Sequence, residues 1–410
     1  MTNIRERLAD LLGLDGVSEL ALDASRSPLP MAKPTDEAEL CAVLELAARD
    51  GLRVLPVGAG SRLTWCRPPT ECDLALSTRR LAGVVAYEPG DGTLTALAGT
   101  PMDVLARTAA DGGHHVTPDV PRPAGTTLGG VLAGGASGFD RLRHGPARWH
   151  LLGTRVAEAD GRVTTSGGRL VKNVTGYDLH RLYCGSQGSL CVILEASLRL
   201  FPLPERRVVV RRSFPDAESG LAAAWAVARL AVEPLAVVLT DRPDAGGAPW
   251  SLEIVLGGRK ARVAWERGEI EAALGEVAIE EDGVARAALL RDLEPDPTHA
   301  PALHLTSRPS RVAGVLSRAH GLLGSSGVTT TSVIHPGVAT VDLPLPASFD
   351  GLAGLVRELR SIDGARVAVR GTDLPEGLEP LDPPRAGLAL MRRLRGVCDP
   401  DGRFATGRVL

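Results

Sequence analysis

The chain has 410 residues, 44% of them hydrophobic and 23% charged, with a formal net charge of -3. That length allows two or three domains with a large core, and that charge leaves no global basic field for nucleic acid or anionic lipid. Aromatics make up only 3%, so base-stacking platforms are not expected, and no apolar run approaches the ~20 residues of a membrane helix.

The segment Met1 to Asp10 alternates charge with Leu and Ile and has no signal-peptide apolar core, so a cytoplasmic location is expected. Ile4, Leu8, Leu11 and Leu12 predict a short amphipathic helix over 3–12. Thr35-Asp36-Glu37 supplies an N-cap and an acidic first turn, and Leu40, Val43, Leu44 and Ala47 carry that helix towards Gly51. The run Arg53 to Val57 reads as a strand leading into Gly58-Ala59-Gly60-Ser61, with further short strands at 72–76, 84–87 and 93–98. Pro101 starts a helix to Ala110, and Gly112-Gly113 stops it; His114-His115 then read as a turn feature or as a pair facing ligand. Between 118 and 138 glycine is dense: Gly125, Gly129, Gly130, Gly134, Gly135 and Gly138. A short helix fits from Thr127 to Ala133, and strands recur at 153–158, 190–194 and 196–201.

After Pro202-Leu203-Pro204 the pattern changes. Strand 206–212, helix 216–230, strands 235–240 and 251–256 and helix 260–274 make one unit. Strand 303–306, helix 310–323, strands 328–334 and 337–343, helix 350–361 and strand 365–370 echo it. Two ferredoxin-like halves with one antiparallel sheet and helices on one face are expected. A helix over 384–396 and the tail are expected to return to the first domain.

The six cysteines include no Cys-x-x-Cys, and the nine histidines form no His-x-x-x-His or Glu-x-x-His pair. An iron–sulfur cluster or a metal site within the chain is therefore not expected. Gly58-x-Gly60-x-x-Leu63 lacks the third glycine of a Rossmann fingerprint, and Cys66-Arg-Pro-Pro69 forbids the helix that must follow it. No Gly-Lys-Ser/Thr occurs, so there is no P-loop. Glycines still let the main chain approach an anion closely, with consecutive N–H groups as donors. The loops 58–61 and 125–138 can hold a pyrophosphate between them, or can be no more than tight turns at strand ends.

Four segments occur in order: Val57-Gly-Ala-Gly-Ser61, the run Ala124 to Gly138, Val171-Lys-Asn-Val-Thr-Gly-Tyr-Asp178 and Gly185-Ser-Gln-Gly-Ser-Leu190. Together they resemble the FAD domain of the vanillyl-alcohol-oxidase flavoproteins, with the PCMH-type fold, and most of all the FAD-binding subunit of bacterial glycolate oxidase. Asp399-Pro-Asp-Gly-Arg-Phe404 with Gly407-Arg408 matches the family's C-terminal segment, Ala405-Thr406 standing for Asn-Pro.

The resemblance implies an α+β protein. Its parts are a two-subdomain PCMH-type FAD-binding domain over 20–204, a ferredoxin-like cap over 205–380 and a C-terminal segment, 381–410, returning to the first domain. By position, Gly58, Ala59, Gly60 and Ser61 would bind the FAD pyrophosphate. Gly125, Thr126, Thr127, Gly129, Gly130, Ala136, Ser137 and Gly138 would run along diphosphate, ribityl chain and flavin. Gly188, Cys191 and Ile193 would meet the adenine side, and Lys172, Asn173 and Tyr177 would lie near the flavin ring or order the loop beside it. Lys172 could stabilise negative charge on reduced flavin or simply hold its loop. Tyr177 is either catalytic or a packed aromatic, Asp178 reads as an ion-pair partner of Arg181, and His335 is the candidate base of the second domain.

Departures from the family set further expectations. No histidine occurs in 58–66, so the FAD is expected to be noncovalent. Val171 stands where related D-2-hydroxyacid dehydrogenases carry a carboxylate-binding Arg. Their metal-binding histidine motif is reduced to His335 in Ser332-Val-Ile-His335, and Trp149 replaces a frequent Asp. The expected role is an FAD subunit of a glycolate-oxidase-like 2-hydroxy acid oxidoreductase. A separate iron–sulfur subunit and a second FAD-containing subunit would be its partners, and any membrane association would come through them. Rival roles are a free-standing oxidase of another alcohol or sugar, an enolpyruvyl-sugar reductase, and a non-catalytic assembly subunit.

Overall fold

The computed structural model describes the chain except for residues 1–3, 23–26, 66–68, 70, 171–175, 242–248, 297–299, 348, 372–373, 376, 383–386 and 406–410. The fold is mixed α+β, and the chain divides into two compact units. Met1–Ser137, Pro146–Pro202 and Pro383–Leu410 form the first; Gly138–Gly145 and Leu203–Asp382 form the second.

The first unit starts from local signals that work as expected. The helix Glu37–Asp50 is capped by Asp36, whose carboxylate accepts from the Glu39 N–H at 2.9 Å, and it stops at Gly51 with φ 74°. Its Leu40, Val43, Leu44 and Ala47 are buried against Leu74 and Leu76. A four-stranded sheet has the order Val17–Leu20, Leu29–Ala32, Leu74–Ser77, Val54–Val57. Its first pair is antiparallel and the other two pairs are parallel. Fully buried Phe404 bridges Val54, and the Val54 N–H donates to the Arg403 carbonyl at 2.7 Å.

A second sheet of this unit is antiparallel, in the order Val84–Glu88, Thr93–Leu97, Val192–Arg199, Leu151–Ala157, Val163–Gly167. The two strands expected at 190–194 and 196–201 are mainly one strand, Val192–Arg199. Its register against Leu151–Ala157 shifts between Ile193 and Glu195, an extra residue that breaks the alternation read from sequence. His114–His115, expected as a turn, pairs with Phe201–Pro202. The helices Met102–Asp111 and Leu128–Gly134 pack on this sheet through Leu105, Leu128, Val131 and Leu132.

The second unit holds one antiparallel eight-stranded sheet. Its order is Ala278–Glu280, Arg206–Phe214, Trp250–Gly258, Ala236–Thr240, Val333–His335, Thr340–Pro344, Ala302–Thr306, Arg366–Arg370. Helices Ala217–Ala228, Lys260–Leu274, Val312–Ser325 and Leu352–Arg360 share a core with Val210, Ile254, Leu305 and Leu343. The expectation that helices occupy one face only is corrected by Val284–Arg291. This helix buries Ala287 and Leu290 against Val209, Leu235, Ala236 and Val255 in a separate cluster. Val208 and Val209 are adjacent and belong to different cores, so the strand carrying them is apolar on both faces and needs cover on each. Fully buried Glu253 is paired there by Arg286, with Nε 2.6 Å from a carboxylate oxygen.

Candidate functional site

Strand Val54–Val57 ends the parallel part of the first sheet and delivers Gly58-Ala59-Gly60-Ser61 at its carboxyl end. Gly58, Ala59, Gly60 and Ser61 come together with Gly129, Gly130, Gly188, Cys191 and Ile193 around one groove of roughly 630 Å³, part of it open to solvent. Ala133 and Gly134 of the glycine-dense segment line it too, as do Arg62, Leu63, Thr78 and Gln187, which sequence reading missed.

The two glycine loops are in direct contact. A Cβ built on Gly58 would lie 2.2 Å from Thr127 Oγ1, so only glycine lets the first loop sit on the start of the short helix. Thr127 is that helix's N-cap, its hydroxyl accepting from the Gly130 N–H at 3.4 Å. Ser61 Oγ lies 3.5 Å from Thr126 Oγ1 and ties the loops a second time.

Their amides are used differently. The Leu128 N–H donates to the Thr100 carbonyl at 2.9 Å and the Gly129 N–H to the Ala98 carbonyl at 2.7 Å. With the Gly130 N–H on Thr127, these three donors of the second loop are engaged within the protein. Among the described residues, the N–H groups of Gly58, Ala59, Gly60 and Ser61 meet no protein acceptor. The first loop thus presents the unclaimed donors and the second backs it. Four consecutive unclaimed amides beside a glycine-lined floor fit a bound diphosphate.

The remaining expected residues are scattered. Gly125 ends the turn Pro123–Gly125, and nothing lies within 4 Å of where its Cβ would be. Ala136 is buried in the core with Val131 and Tyr183, so it serves packing instead of lining the groove. Ser137 bonds the Gly135 carbonyl at 3.5 Å, and Gly138, with φ 74°, groups with the second unit. Burial pushes the Cys191 thiol well above its ordinary value, so it meets the groove as a neutral, apolar contact. Gln187, with φ 56°, holds the other end of the short helix. Its N–H donates to the Ala133 carbonyl at 2.8 Å and its Nε2 to the Gly134 carbonyl at 3.2 Å. A non-glycine residue in a glycine-punctuated turn was the signal that could have found it.

Lys172 and Asn173 lie outside the described residues, as does Val171. Tyr177, just after them, is 91% exposed and not a packed aromatic, and its carbonyl accepts from Ser166 Oγ at 3.5 Å. Asp178 does pair Arg181, at 3.3 Å. Buried His180 sits 3.2 Å from Ser166 Oγ, clasping the two stems of the segment between Gly167 and Tyr177.

In the second unit, His335 closes the strand Val333–His335. Burial pushes its imidazole below the ordinary value, with Asp342 and Glu294 opposing the shift, so it is neutral near pH 7. Asp342 lies on the neighbouring strand, where burial would raise its carboxyl; His304 and Arg370 outweigh that and hold it at about 2. His304 Nδ1 is 2.7 Å from Asp342, and Arg370 is 2.7 Å from Glu294 and 3.7 Å from Asp342. Arg370 is thus paired within this cluster, and His335 stays neutral.

Comparison with known proteins agrees with the groove. Residues 28–167 match the family described as the FAD binding domain. The chain is 30% identical over 222 residues to a D-lactate dehydrogenase of Archaeoglobus fulgidus, covering 54% of this chain and 49% of that one. It is 36% identical over 169 residues to glycolate oxidase subunit GlcE of Escherichia coli, covering 40% and 47%. It is 26% identical over 216 residues to subunit GlcD of Bacillus subtilis, covering 53% and 46%. The matched region thus spans about half the length of these relatives. A solved alkyldihydroxyacetonephosphate synthase shares the fold, with a TM-score of 0.70 at 16% identity over 93% of this chain and 78% of its own. Residues 28–167 are an FAD-binding domain, the chain is a flavoprotein, and its relatives are FAD-linked oxidoreductases of the glycolate oxidase and D-lactate dehydrogenase type.

Proposed function

We propose that the chain is the FAD-binding subunit of a glycolate-oxidase-like 2-hydroxy acid oxidoreductase, working with a second flavoprotein subunit and an iron–sulfur subunit. The observation that carries the cofactor part is the row of unclaimed amides from Gly58 to Ser61 facing the glycine floor. When bound, FAD would supply the hydride acceptor. The protein's part is to hold the diphosphate with loop 58–61, pack the start of the short helix beneath it and keep Cys191 neutral alongside. The partners are supported by the similarity to two glycolate oxidase subunits and by the lack of closely spaced cysteines for a cluster of this chain's own.

Substrate oxidation falls to a partner in this reading, and this chain holds an auxiliary flavin. Val171 provides no carboxylate clamp, and buried Arg370 is already paired by Glu294 and Asp342. The test is anaerobic stopped-flow spectroscopy of the FAD-loaded full chain with glycolate and with D-lactate, alone and after mixing with co-expressed partner subunits. Bleaching only in the presence of the partners is expected. Rapid, saturable bleaching of the isolated chain would assign the substrate chemistry to it instead.

A further inference from the structure

Arg62 stands out among the groove residues. Those residues are Pro, Val, Gly, Ala, Ser, Leu, Thr, Gln, Cys, Ile and one arginine, so Arg62 is the sole charged side chain among the described residues that line it. It is only 8% exposed. It directly follows the four unclaimed amides of Gly58 to Ser61.

Its placement is built by both loops. Nη1 donates to Ser61 Oγ at 3.2 Å, and that hydroxyl is 3.5 Å from Thr126 Oγ1. The guanidinium carbon lies 5.1 Å from the centre of the Trp65 ring, a cation–π contact that holds the head of the side chain. The stem lies against the last turn of the short helix, where a Cβ on Gly134 would come within 2.7 Å of Arg62 Cδ. Glycine at 134 therefore leaves the space the arginine stem occupies. The side chain is held before any ligand arrives, so little rotamer freedom is left to lose on binding.

We propose that the Arg62 guanidinium supplies the counter-charge for the cofactor's diphosphate, completing the donor row of Gly58 to Ser61. This rests on the FAD-binding reading of the groove and adds a discrimination to it. Neutral amides bind any acceptor oxygen, whereas a fixed, planar cation favours a dianionic diphosphate over an uncharged ligand of the same shape. The site would then prefer ADP-containing ligands over adenosine or riboflavin by charge as well as by contact.

The experiment measures dissociation constants of the flavin-stripped full chain for FAD, ADP and adenosine, in wild type, Arg62→Gln and Arg62→Lys. Arg62→Gln should lose about tenfold or more for FAD and ADP while adenosine binding stays within about twofold. Arg62→Lys should recover part of the loss, and wild-type ADP binding should weaken with added salt more steeply than that of Arg62→Gln. If Arg62 only braces the loop and the helix end, Arg62→Gln will weaken ADP and adenosine alike, and the proposal is overturned. An unchanged ratio of ADP to adenosine affinity overturns it too. Wild-type protein that binds neither FAD nor ADP would instead sink the FAD reading, which separates the two failures.

Discussion

Thr127 Oγ1 occupies the space that any side chain on Gly58 would need: the built Cβ falls 2.2 Å from it and 3.7 Å from the Gly130 Cα. The two residues belong to loops 69 positions apart in sequence, and their contact sets the floor of the cofactor groove. Gly58→Ala must therefore push the loops apart, and FAD affinity should fall at least tenfold. Thr127→Ala alone removes the cap at about 1 kcal/mol. In the double variant the offending oxygen is gone, so affinity should recover relative to Gly58→Ala. Isothermal titration of the four proteins with FAD gives the coupling; strictly additive losses would show that the contact does not govern the site.

Gly130 offers the complementary case. Its Cβ would meet only the Thr127 hydroxyl, at 3.1 Å, and otherwise point into open space of the groove. Gly130→Val should leave the far-ultraviolet circular dichroism of the chain unchanged and abolish flavin loading. Full occupancy in this variant would remove the short helix from the binding site.

The FAD is expected to be noncovalent, since residues 58–66 contain no histidine to bond the flavin and the groove thiol Cys191 is kept protonated by burial. Acid precipitation of the purified protein should leave a colourless pellet and a yellow supernatant. A yellow, fluorescent pellet after washing would establish a covalent link.

Three histidines make stability depend on pH with one sign. His335, His320 and His180 are all held below the ordinary imidazole value, in each case first by burial. The folded chain keeps them neutral while the unfolded chain protonates near pH 6.5. Their contribution is therefore complete above that pH and is lost as pH falls from it towards the folded values. Each can steepen the loss by up to about 1.4 kcal/mol per pH unit. Thermal unfolding should move down between pH 7.5 and pH 5.5, and His335→Gln should flatten part of that slope. Parallel slopes in variant and wild type would show that His335 titrates in the folded state as it does in the unfolded one.

Local chemistry determined much of the chain before any long-range contact. Asp36 and Gly51 bound their helix, Val54 to Val57 run as a buried strand into the glycine loop, and Lys260–Leu274 forms the helix read from its sequence. These depend on residues a few positions apart, where propensity, capping and hydrophobic period act. Tertiary structure alone decided which amides of the glycine loops are free. The donors at Gly129 and Leu128 find carbonyls on Ala98 and Thr100, about 30 residues away, while those of Gly58 to Ser61 find none among the described residues. It also decided that residues 284–291 form a helix covering a second apolar face. The burial of Arg62 depends on Ser61, Trp65 and Gly134 converging around it. A hydrogen-bond acceptor or a neighbouring side chain from a distant segment has no trace in local periodicity, so these outcomes exist only once the chain has packed.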